Sequence, residues 1–372
     1  MKIKRAASIP LIVSDPYFSV WSPADALYET DTAHWSGCRQ KIRGYVTVDE
    51  AVYCFMGDRE FHQVIEQKSV DVTATATEYY FENEKIGLTV RFCSPLLLDD
   101  FTLVSRPCTY IDLTVHKKTP CNVHTDFLIY SDLVQRGDDR LVGGSNRKVQ
   151  GQDRAAFGYA FMGRAAQRPL GNSGDNITID WGYAYLASDD EKAVLTYDGG
   201  NRVIGCRMDF AGEQETKGMI AAYDDLLSIN YFGEWRKAYW TERYTDILDA
   251  VGAAFFDRKE VLVRAAALDG DLFQKAMAFG GEDYAFLCCL SYRHSIAAHK
   301  LVTDENGEVI FLSKENDSNG CIGTVDVSYP SVPLFLLYQT EYVKGMLRPV
   351  FRFAACDVWE YDFAPHDVGR YP

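Results

Sequence analysis

Two short tripeptides late in the chain hold the densest group of side chains that could do chemistry. Lys-Glu-Asn at 314–316 and Ser-Asn-Gly at 318–320 place six polar or turn-forming residues in seven positions, with apolar segments on both sides. A polar loop held between apolar anchors suits the mouth of a barrel or cleft. The alternative is a solvated turn in which Asn and Gly adopt left-handed conformations. The candidate site residues here are Lys314, Glu315, Asn316 and Asn319.

Asp326 is a second acidic candidate, because it stands in an apolar neighbourhood between Val325 and Val327. Such a carboxylate is either the N-cap of a helix that begins before Pro330 or a site group with a shifted pKa. The sequence leaves both interpretations open.

His366 and Asp367 are adjacent in a segment bounded by Pro365 and Gly369. An imidazole and a carboxylate in such a loop could bind hydroxyl or amide groups of a substrate. The alternative is a capping aspartate with a hydrogen-bonded histidine. These residues complete a candidate site that is rich in carboxylates.

Other chemistries have weaker support. A thiol could attack an amide, and Cys321 is the cysteine nearest the polar loop, but no motif flanks it and a small buried residue is the preferred interpretation. The sequence has no P-loop, dinucleotide fingerprint or His-Glu-x-x-His, and its ten cysteines form no Cys-x-x-Cys pair. We expect no metal, no cofactor and buried thiols, as in a cytoplasmic protein.

The charge of the chain limits its partners. Its 372 residues carry a formal net charge of −15, whereas nucleic acids and anionic membranes attract clustered Lys and Arg. The basic N-terminus is followed by no apolar signal-peptide core, and no segment approaches the roughly 20 apolar residues of a membrane span. A small-molecule substrate is expected, with no nucleic-acid or membrane partner.

The elements that must position these residues change along the chain. Period-two alternation at 70–75, 88–92 and 110–115 predicts strands of an antiparallel sandwich. Apolar residues recur at helical spacing from Ile247 onward. Strands before helices indicate segregated domains. The predicted domains are an N-terminal β segment at 1–65, a β-sandwich at 66–230 and a helical domain at 231–372.

Three stretches of the chain resemble the glutaminase A family. The resemblance extends over essentially the whole sequence, and the third stretch is the most specific. The stretches are PLIVSDPYFSVWS at 10–22, SPLL at 94–97, and the region from Tyr292 to Pro372 with SKEN at 313–316, TVDVSYPS at 324–331 and APHDVGRYP at 364–372.

The resemblance implies an antiparallel β-sandwich followed by the first hairpins of an (α/α) six-hairpin barrel. Fungal members are known as glutaminases, which hydrolyse the side-chain amide of L-glutamine to glutamate and ammonia. Members of the family continue past Pro372, so the chain is expected to be truncated. Self-association, or a second chain carrying the missing helices, is then expected to cover the open edge of the barrel.

A more distant similarity links the same region to barrel glycosidases of the bile-acid β-glucosidase type. Those enzymes have a catalytic Glu, then Thr-x-Asp-Val, then Pro-His-Asp-x-Gly, and Glu315, Asp326 and 365–369 follow that order. A glycosidase needs a second carboxylate, which the similarity places beyond residue 372. A glycoside hydrolase and a non-catalytic carbohydrate-binding protein are the alternative functions. The implied catalytic residues are Glu315 and Asp326, and the implied substrate-binding residues are Lys314, Asn316, Asn319, Tyr329, His366 and Asp367.

Overall fold

The computed structural model describes residues 6–174, 178–315 and 319–372. Strands dominate the chain up to Arg236. They are β1 (Ile9–Val13), β2 (Ser19–Ser22), β3 (Ala33–His34), β4 (Ile42–Val48), β5 (Ala51–Met56), β6 (Gln63–Val64), β7 (Glu66–Val72), β8 (Ala76–Glu82), β9 (Ile86–Cys93), β10 (Cys108–Lys117), β11 (Val123–Tyr130), β12 (Leu141–Lys148), β13 (Phe157–Arg164), β14 (Tyr183–Ser188), β15 (Val194–Asp198), β16 (Val203–Phe210), β17 (Gln214–Asp224), β18 (Ile229–Tyr231) and β19 (Glu234–Arg236).

Helices form most of the remaining chain. A one-turn helix, α1 (Phe101–Ser105), lies between β9 and β10, and 3-10 turns occupy Ser131–Leu133 and Tyr239–Glu242. The long helix α2 (Ile247–Ala297) is followed by a hairpin of β20 (His299–Thr303) and β21 (Val309–Ser313). The helices α3 (Val325–Tyr338) and α4 (Thr340–Ala354) come after the hairpin.

Two sheets form the sandwich. The larger has the order β12-β13-β14-β17-β10-β9-β8-β7, and the smaller has the order β15-β16-β11-β4-β5-β6. The pairings are antiparallel except for β5 with β6. A sandwich followed by helices confirms the predicted fold class, while closure of an (α/α) barrel stays a prediction. The predicted domain bounds also stay predictions, and β4 and β5, from the predicted N-terminal segment, pair within the smaller sheet.

Alternation of side chains explains why these strands form a sandwich. In β11 the side chains of Val123, Thr125, Phe127 and Ile129 are buried, and the residues between them are partly exposed. Successive side chains of a strand point to opposite faces of a sheet, so every second residue enters the space between the sheets. The core of the sandwich contains Phe127 and Ile129 together with residues of the larger sheet.

The larger sheet is buried on its second face as well. Along β17, Met219 and Ala221 belong to the core between the sheets, whereas Ile220 and Ala222 belong to a separate core. That second core includes apolar residues from the first part of α2, among them Val251. The helical part of the chain therefore packs against the outer face of the larger sheet.

Helix α2 is 51 residues long and bends at Gly281, whose φ of 82° and ψ of −173° lie outside the helical region. Asp246 caps its N-terminus by accepting a hydrogen bond from the backbone of Asp249. The sequence predicts a helix over 282–301, and the C-terminal end of that prediction is wrong. The helix ends at Ala297 because 299–303 pair with 309–313 as two buried strands.

Buried polar contacts lock α2 to the sandwich. The guanidinium of Arg106 forms a two-pronged contact with Asp257, with distances of 2.7 and 3.0 Å to its two carboxylate oxygens. Asp269 accepts hydrogen bonds from the Thr73 and Thr75 hydroxyls and from the Thr75 backbone. Charge-assisted bonds of this kind fix orientation as well as contact. The direction in which α2 leaves the sandwich is therefore fixed by the contacts of two helix carboxylates, Asp257 and Asp269, with the sandwich side of the chain.

Candidate active site

Glu315 follows the hairpin of β20 and β21 and lies at one end of the helical part of the chain. Directly after β21, the backbone N–H of Lys314 donates to the carbonyl of Ala298 at 2.8 Å. The N–H of Glu315 then donates to the carbonyl of Cys321 at 3.0 Å. Because these bonds hold the backbone at and just before Glu315, its carboxylate extends from a fixed base.

The Pro-His-Asp segment runs beside the chain that follows Glu315. The N–H of Ile322 donates to the carbonyl of Gly369, and the N–H of Val368 donates back to Ile322. The N–H of Val325 donates to the carbonyl of His366 at 2.8 Å. These hydrogen bonds pair residues 322–325 with residues 366–369 as a short backbone ladder. The ladder fixes the positions of His366, Asp367 and the start of α3.

Side chains from both strands of this ladder converge. The Nδ1 atom of His366 lies 3.0 Å from an oxygen of Asp367, and Nε2 lies 3.5 Å from an oxygen of Asp326. The second oxygen of Asp367 accepts the N–H of Gly369 at 2.9 Å. The imidazole therefore stands between two carboxylates, an arrangement suited to holding polar substrate groups.

The charges of this cluster influence one another. A hydrogen bond to Asp367 raises the pKa of His366, and the negative charges of Asp326, Asp367 and Glu315 act in the same direction. Partial burial opposes ionisation of Asp367, but hydrogen bonds from His366, Gly369 and Cys321 outweigh it and lower its pKa. The favoured state at neutral pH is an ionised Asp367 beside an imidazole that retains its proton more readily than usual.

The structure brings most of the predicted site residues together. Lys314 is buried, and its ammonium donates to the carbonyl of Glu315 at 2.9 Å. Asn319 accepts the N–H of Cys321 through its side chain. Tyr329 is 76% exposed on α3, and Asn316 lies outside the described residues. Their roles in binding stay predictions.

Asp326 differs in two ways from its sequence-based description. Its side chain is 72% exposed, so the apolar neighbours in the sequence do not enclose it. The N-cap position of α3 belongs to Thr324, and Asp326 lies in the first turn, where a negative charge favours the helix dipole. Of its two interpretations, the N-cap is wrong, and a role in the site stays a prediction.

A buried triad behind the site was not apparent from the sequence. The Lys300 ammonium on β20 lies 2.7 Å from Asp15 and 2.7 Å from Asp225. Burial disfavours the charged lysine, but the two carboxylates outweigh burial and raise its pKa. The triad joins the N-terminal segment and the sandwich to the hairpin that carries Glu315. The only feature of the sequence that could have indicated this triad is a lysine that stands between His299 and Leu301.

Trp35 is another group that sequence reasoning did not select. The Lys314 ammonium lies 5.0 Å from the centre of its indole ring, within the range of a cation–π contact. The indole N–H donates to the carbonyl of Pro16 at 2.9 Å. The N-terminal segment therefore forms a wall next to the loop that holds Glu315.

Replacing His366 with alanine is expected to raise KM about ten-fold, because a substrate contact is lost while the backbone ladder remains. We expect the imidazolium to be the form that binds substrate, so 1/KM should fall as pH rises through the raised pKa of His366. Asp367→Asn should move that inflection to lower pH, since it removes the main group that holds the proton. Steady-state rates between pH 5 and 9 test this. A lower melting temperature with unchanged KM would instead assign both residues a structural role.

Comparisons with known proteins agree with this architecture. Residues 281–372 match the model of the glutaminase A six helical-hairpin domain. Residues 75–219 and 2–66 match two domains of unknown function, DUF5127 and DUF4964. Glutaminase A from Aspergillus oryzae is 25% identical over 421 aligned residues, which include 99% of this chain. Residues 281–372 therefore belong to the glutaminase A six helical-hairpin domain family, and the chain as a whole is similar to a protein named glutaminase A.

Other similarities are more remote. A probable glutaminase from Arthroderma benhamiae is 21% identical over 98% of this chain. The chain spans 59% of the length of the Aspergillus protein and 49% of the length of the Arthroderma protein. A solved structure of a putative kojibiose phosphorylase from the human microbiome aligns with 80% of this chain and 34% of its own, with a TM-score of 0.41 and 11% identity. In the described parts of the chain, no helix combines the length and apolar character needed to cross a membrane.

Proposed function

We propose that the protein is a hydrolase that cleaves the side-chain amide of L-glutamine, with Glu315 as its principal catalytic group. The observation that carries the proposal is the convergence of Asp326, His366 and Asp367 beside the loop of Glu315. The substrate class comes from the two relatives, which are named glutaminase A and probable glutaminase.

The chemistry assigned to the site is addition of water to an amide. Glu315 takes a proton from a water molecule, whose oxygen adds to the side-chain carbonyl carbon of glutamine. The carbon–nitrogen bond then breaks, and the nitrogen leaves as ammonia after receiving that proton. His366 offers an N–H to the polar groups of the substrate, and Asp367 holds the imidazole in place through Nδ1. Asp326 is the second carboxylate of the proposal.

Hydrolysis of a glycoside is the second candidate. It is favoured by Glu315, because glycosidases use a pair of carboxyl groups around the scissile bond and Glu315 would supply one of the two. The substrate-binding part of this proposal again rests on His366 and Asp367, whose side chains could accept and donate hydrogen bonds to sugar hydroxyls. A non-catalytic carbohydrate-binding protein would use these groups without Glu315 as a catalyst.

A substrate panel separates these functions. Ammonia release is measured with L-glutamine and L-asparagine, and nitrophenol release is measured with a set of nitrophenyl glycosides, in both cases with protein that includes the further helices proposed below. The proposal expects turnover of L-glutamine with a higher kcat/KM than any glycoside. Turnover of a glycoside without turnover of L-glutamine would establish the second candidate. A sugar that raises the melting temperature without being cleaved would indicate the binding protein.

We also propose that further helices of the six-hairpin domain cover the outer surface of α2, α3 and α4. Large apolar side chains are exposed there, with Phe279 at 85%, Leu337 at 75% and Phe351 at 67%. Exposed apolar patches of this kind promote association, and the relatives named as glutaminases are longer than this chain. The second catalytic carboxylate of a glycosidase would come from those helices.

The 372-residue chain alone is therefore expected to self-associate and to be nearly inactive. Sedimentation velocity should show dimers or larger species that the double change Leu337→Lys and Phe351→Lys converts to monomer. The matched control Val194→Lys changes a similarly exposed side chain of the sandwich and should leave association unchanged. A monomeric unchanged chain at micromolar concentration, or full turnover by it, would contradict this proposal.

A further inference from the structure

A cavity of about 800 Å³ lies between the N-terminal segment and the last turns of α2. Its volume is within the range of small-molecule sites, roughly 300–1,000 Å³. The N-terminal segment contributes Trp21, His34 and Trp35, and the helix contributes Phe286, Leu290 and His294. Aromatic and aliphatic side chains from two parts of the chain thus face the same space.

The walls of this cavity carry little charge. Among the described residues that line it there is no Asp, Glu, Lys or Arg. Burial lowers the pKa of His34 to about 3, and burial also lowers the pKa of His294, so both imidazoles are neutral at pH 7. A free amino acid carries an ammonium and a carboxylate, and the cavity offers no opposite charge to either group. The free-energy cost of removing these charges from water would therefore not be compensated.

The polar groups of the walls are mostly satisfied by the protein itself. The indole N–H of Trp21 donates to Ser19, and that of Trp35 donates to Pro16. His34 contacts Ser36 through Nδ1 and the Pro16 carbonyl through Nε2. His294 packs edge-on against Trp21 at 5.1 Å between ring centres and has no hydrogen-bond partner among the described residues. The cavity therefore offers ring surfaces and one imidazole to a ligand.

The cavity adjoins the candidate active site. Trp35 forms part of its wall and lies under the Lys314 ammonium at 5.0 Å. Ala298, another lining residue, accepts the backbone N–H of Lys314. Lys314 in turn precedes Glu315 and donates to its carbonyl. The cavity therefore meets the carboxylate loop at Trp35 and Ala298, two lining residues that contact Lys314.

We propose that this cavity binds an uncharged apolar ring, carried by a substrate whose scissile bond reaches the loop of Glu315. The ring would lie against Trp21 and Trp35 and place one polar atom within reach of His294. The preferred substrate is then a glutamine side-chain amide or a glycoside that also carries an apolar ring, and it should be hydrolysed with a higher kcat/KM than free L-glutamine. Assignment of the ring to a substrate rests on the proposed hydrolase activity, whereas binding of the ring does not.

The neutral fluorescent probe N-phenyl-1-naphthylamine tests binding directly. Its emission rises in apolar surroundings, and tryptophan emission can excite it, so entry between Trp21 and Trp35 should give saturable energy transfer at one probe per chain. Ala298→Leu adds a side chain to a half-exposed lining position and should weaken binding at least ten-fold. Leu290→Trp fills the cavity from the helix side and should have the same effect.

A matched control separates the cavity from other apolar surface. Val194→Trp enlarges an exposed valine of the sandwich that does not line the cavity, and it should leave probe affinity within two-fold. Circular dichroism and the melting temperature show which variants are folded. Absence of saturable binding to the unchanged protein, or equal affinity in a folded Ala298→Leu variant, would overturn the proposal.

The outcome for the cavity is distinguishable from the outcome for catalysis. Tight probe binding with no hydrolysis of amides or glycosides would leave the ring site standing and remove the proposed function. Hydrolysis without probe binding would leave the function standing and remove the ring site. If both hold, the probe should inhibit hydrolysis competitively in the unchanged protein and at least ten-fold less strongly in Ala298→Leu.

Discussion

Replacing Glu315 with glutamine is expected to lower kcat by on the order of 10³-fold, since general acid–base catalysis contributes about 10²–10⁴-fold. The amide side chain has nearly the same shape as the carboxylate but cannot take a proton from water. The backbone contacts of Glu315 to Cys321 and Lys314 do not depend on the carboxylate, so the fold should be retained. Initial rates with the substrate found by the panel give the measurement.

A matched control accompanies this change. Glu84→Gln alters an exposed carboxylate in the turn between β8 and β9 and should leave kcat and KM unchanged. Both variants should have the melting temperature of the unchanged protein. Near-normal rates for Glu315→Gln would remove Glu315 from the chemistry, whatever the roles of His366 and Asp367.

Replacing Lys300 with methionine is expected to lower the free energy of unfolding by about 3–5 kcal/mol, the usual cost of leaving a buried ion pair without one partner. Methionine fills a similar volume but leaves Asp15 and Asp225 buried beside each other without a cation. Burial opposes ionisation of Asp15, but Lys300 and two backbone N–H groups outweigh it and lower the pKa of Asp15. The cost should therefore be largest at neutral pH.

The pH dependence identifies the cause of this loss. A lowered pKa means that Asp15 contributes stability above its unfolded value of about 3.8 and loses that contribution as pH falls through its folded pKa. The difference between Lys300→Met and the unchanged protein should therefore shrink below pH 4. Urea unfolding at pH 7 and pH 3.5 measures it. As a control, Lys85→Met breaks the half-exposed contact with Asp49 and should change stability far less than Lys300→Met, because solvent screens a surface ion pair.

Much of the fold could be predicted from local sequence patterns. Alternation in segments such as 110–115 predicts strands, and the structure has β10 there. Helical spacing from Ile247 predicts the start of α2. The sequence did not predict the hairpin at 299–313, because apolar residues that follow a helix are equally compatible with one further turn of that helix. Residues 299–303 and 309–313 form strands because they pair with each other across the turn at 304–308, which is a tertiary effect.

The sequence predicts which residues belong to the candidate site, and their roles stay predictions, but it does not indicate the contacts that support them. Glu315, His366 and Asp367 were selected because polar residues stand in short motifs. The triad of Asp15, Lys300 and Asp225 joins positions up to 285 residues apart, and no local pattern reports such a contact. The cavity beside Trp35 likewise depends on α2 packing against the N-terminal segment, which the sequence does not reveal.

The most direct test of the central claim uses L-glutamine labelled with ¹⁵N at its side-chain amide. The full-length protein is incubated with this substrate, and ¹⁵N-ammonium and glutamate are followed by NMR, with Glu315→Gln as a parallel sample. The account predicts equal amounts of both products from the unchanged protein and at least a hundred-fold slower release from the variant. Intact labelled glutamine after prolonged incubation with folded, full-length protein would contradict it, as would equal rates from both samples.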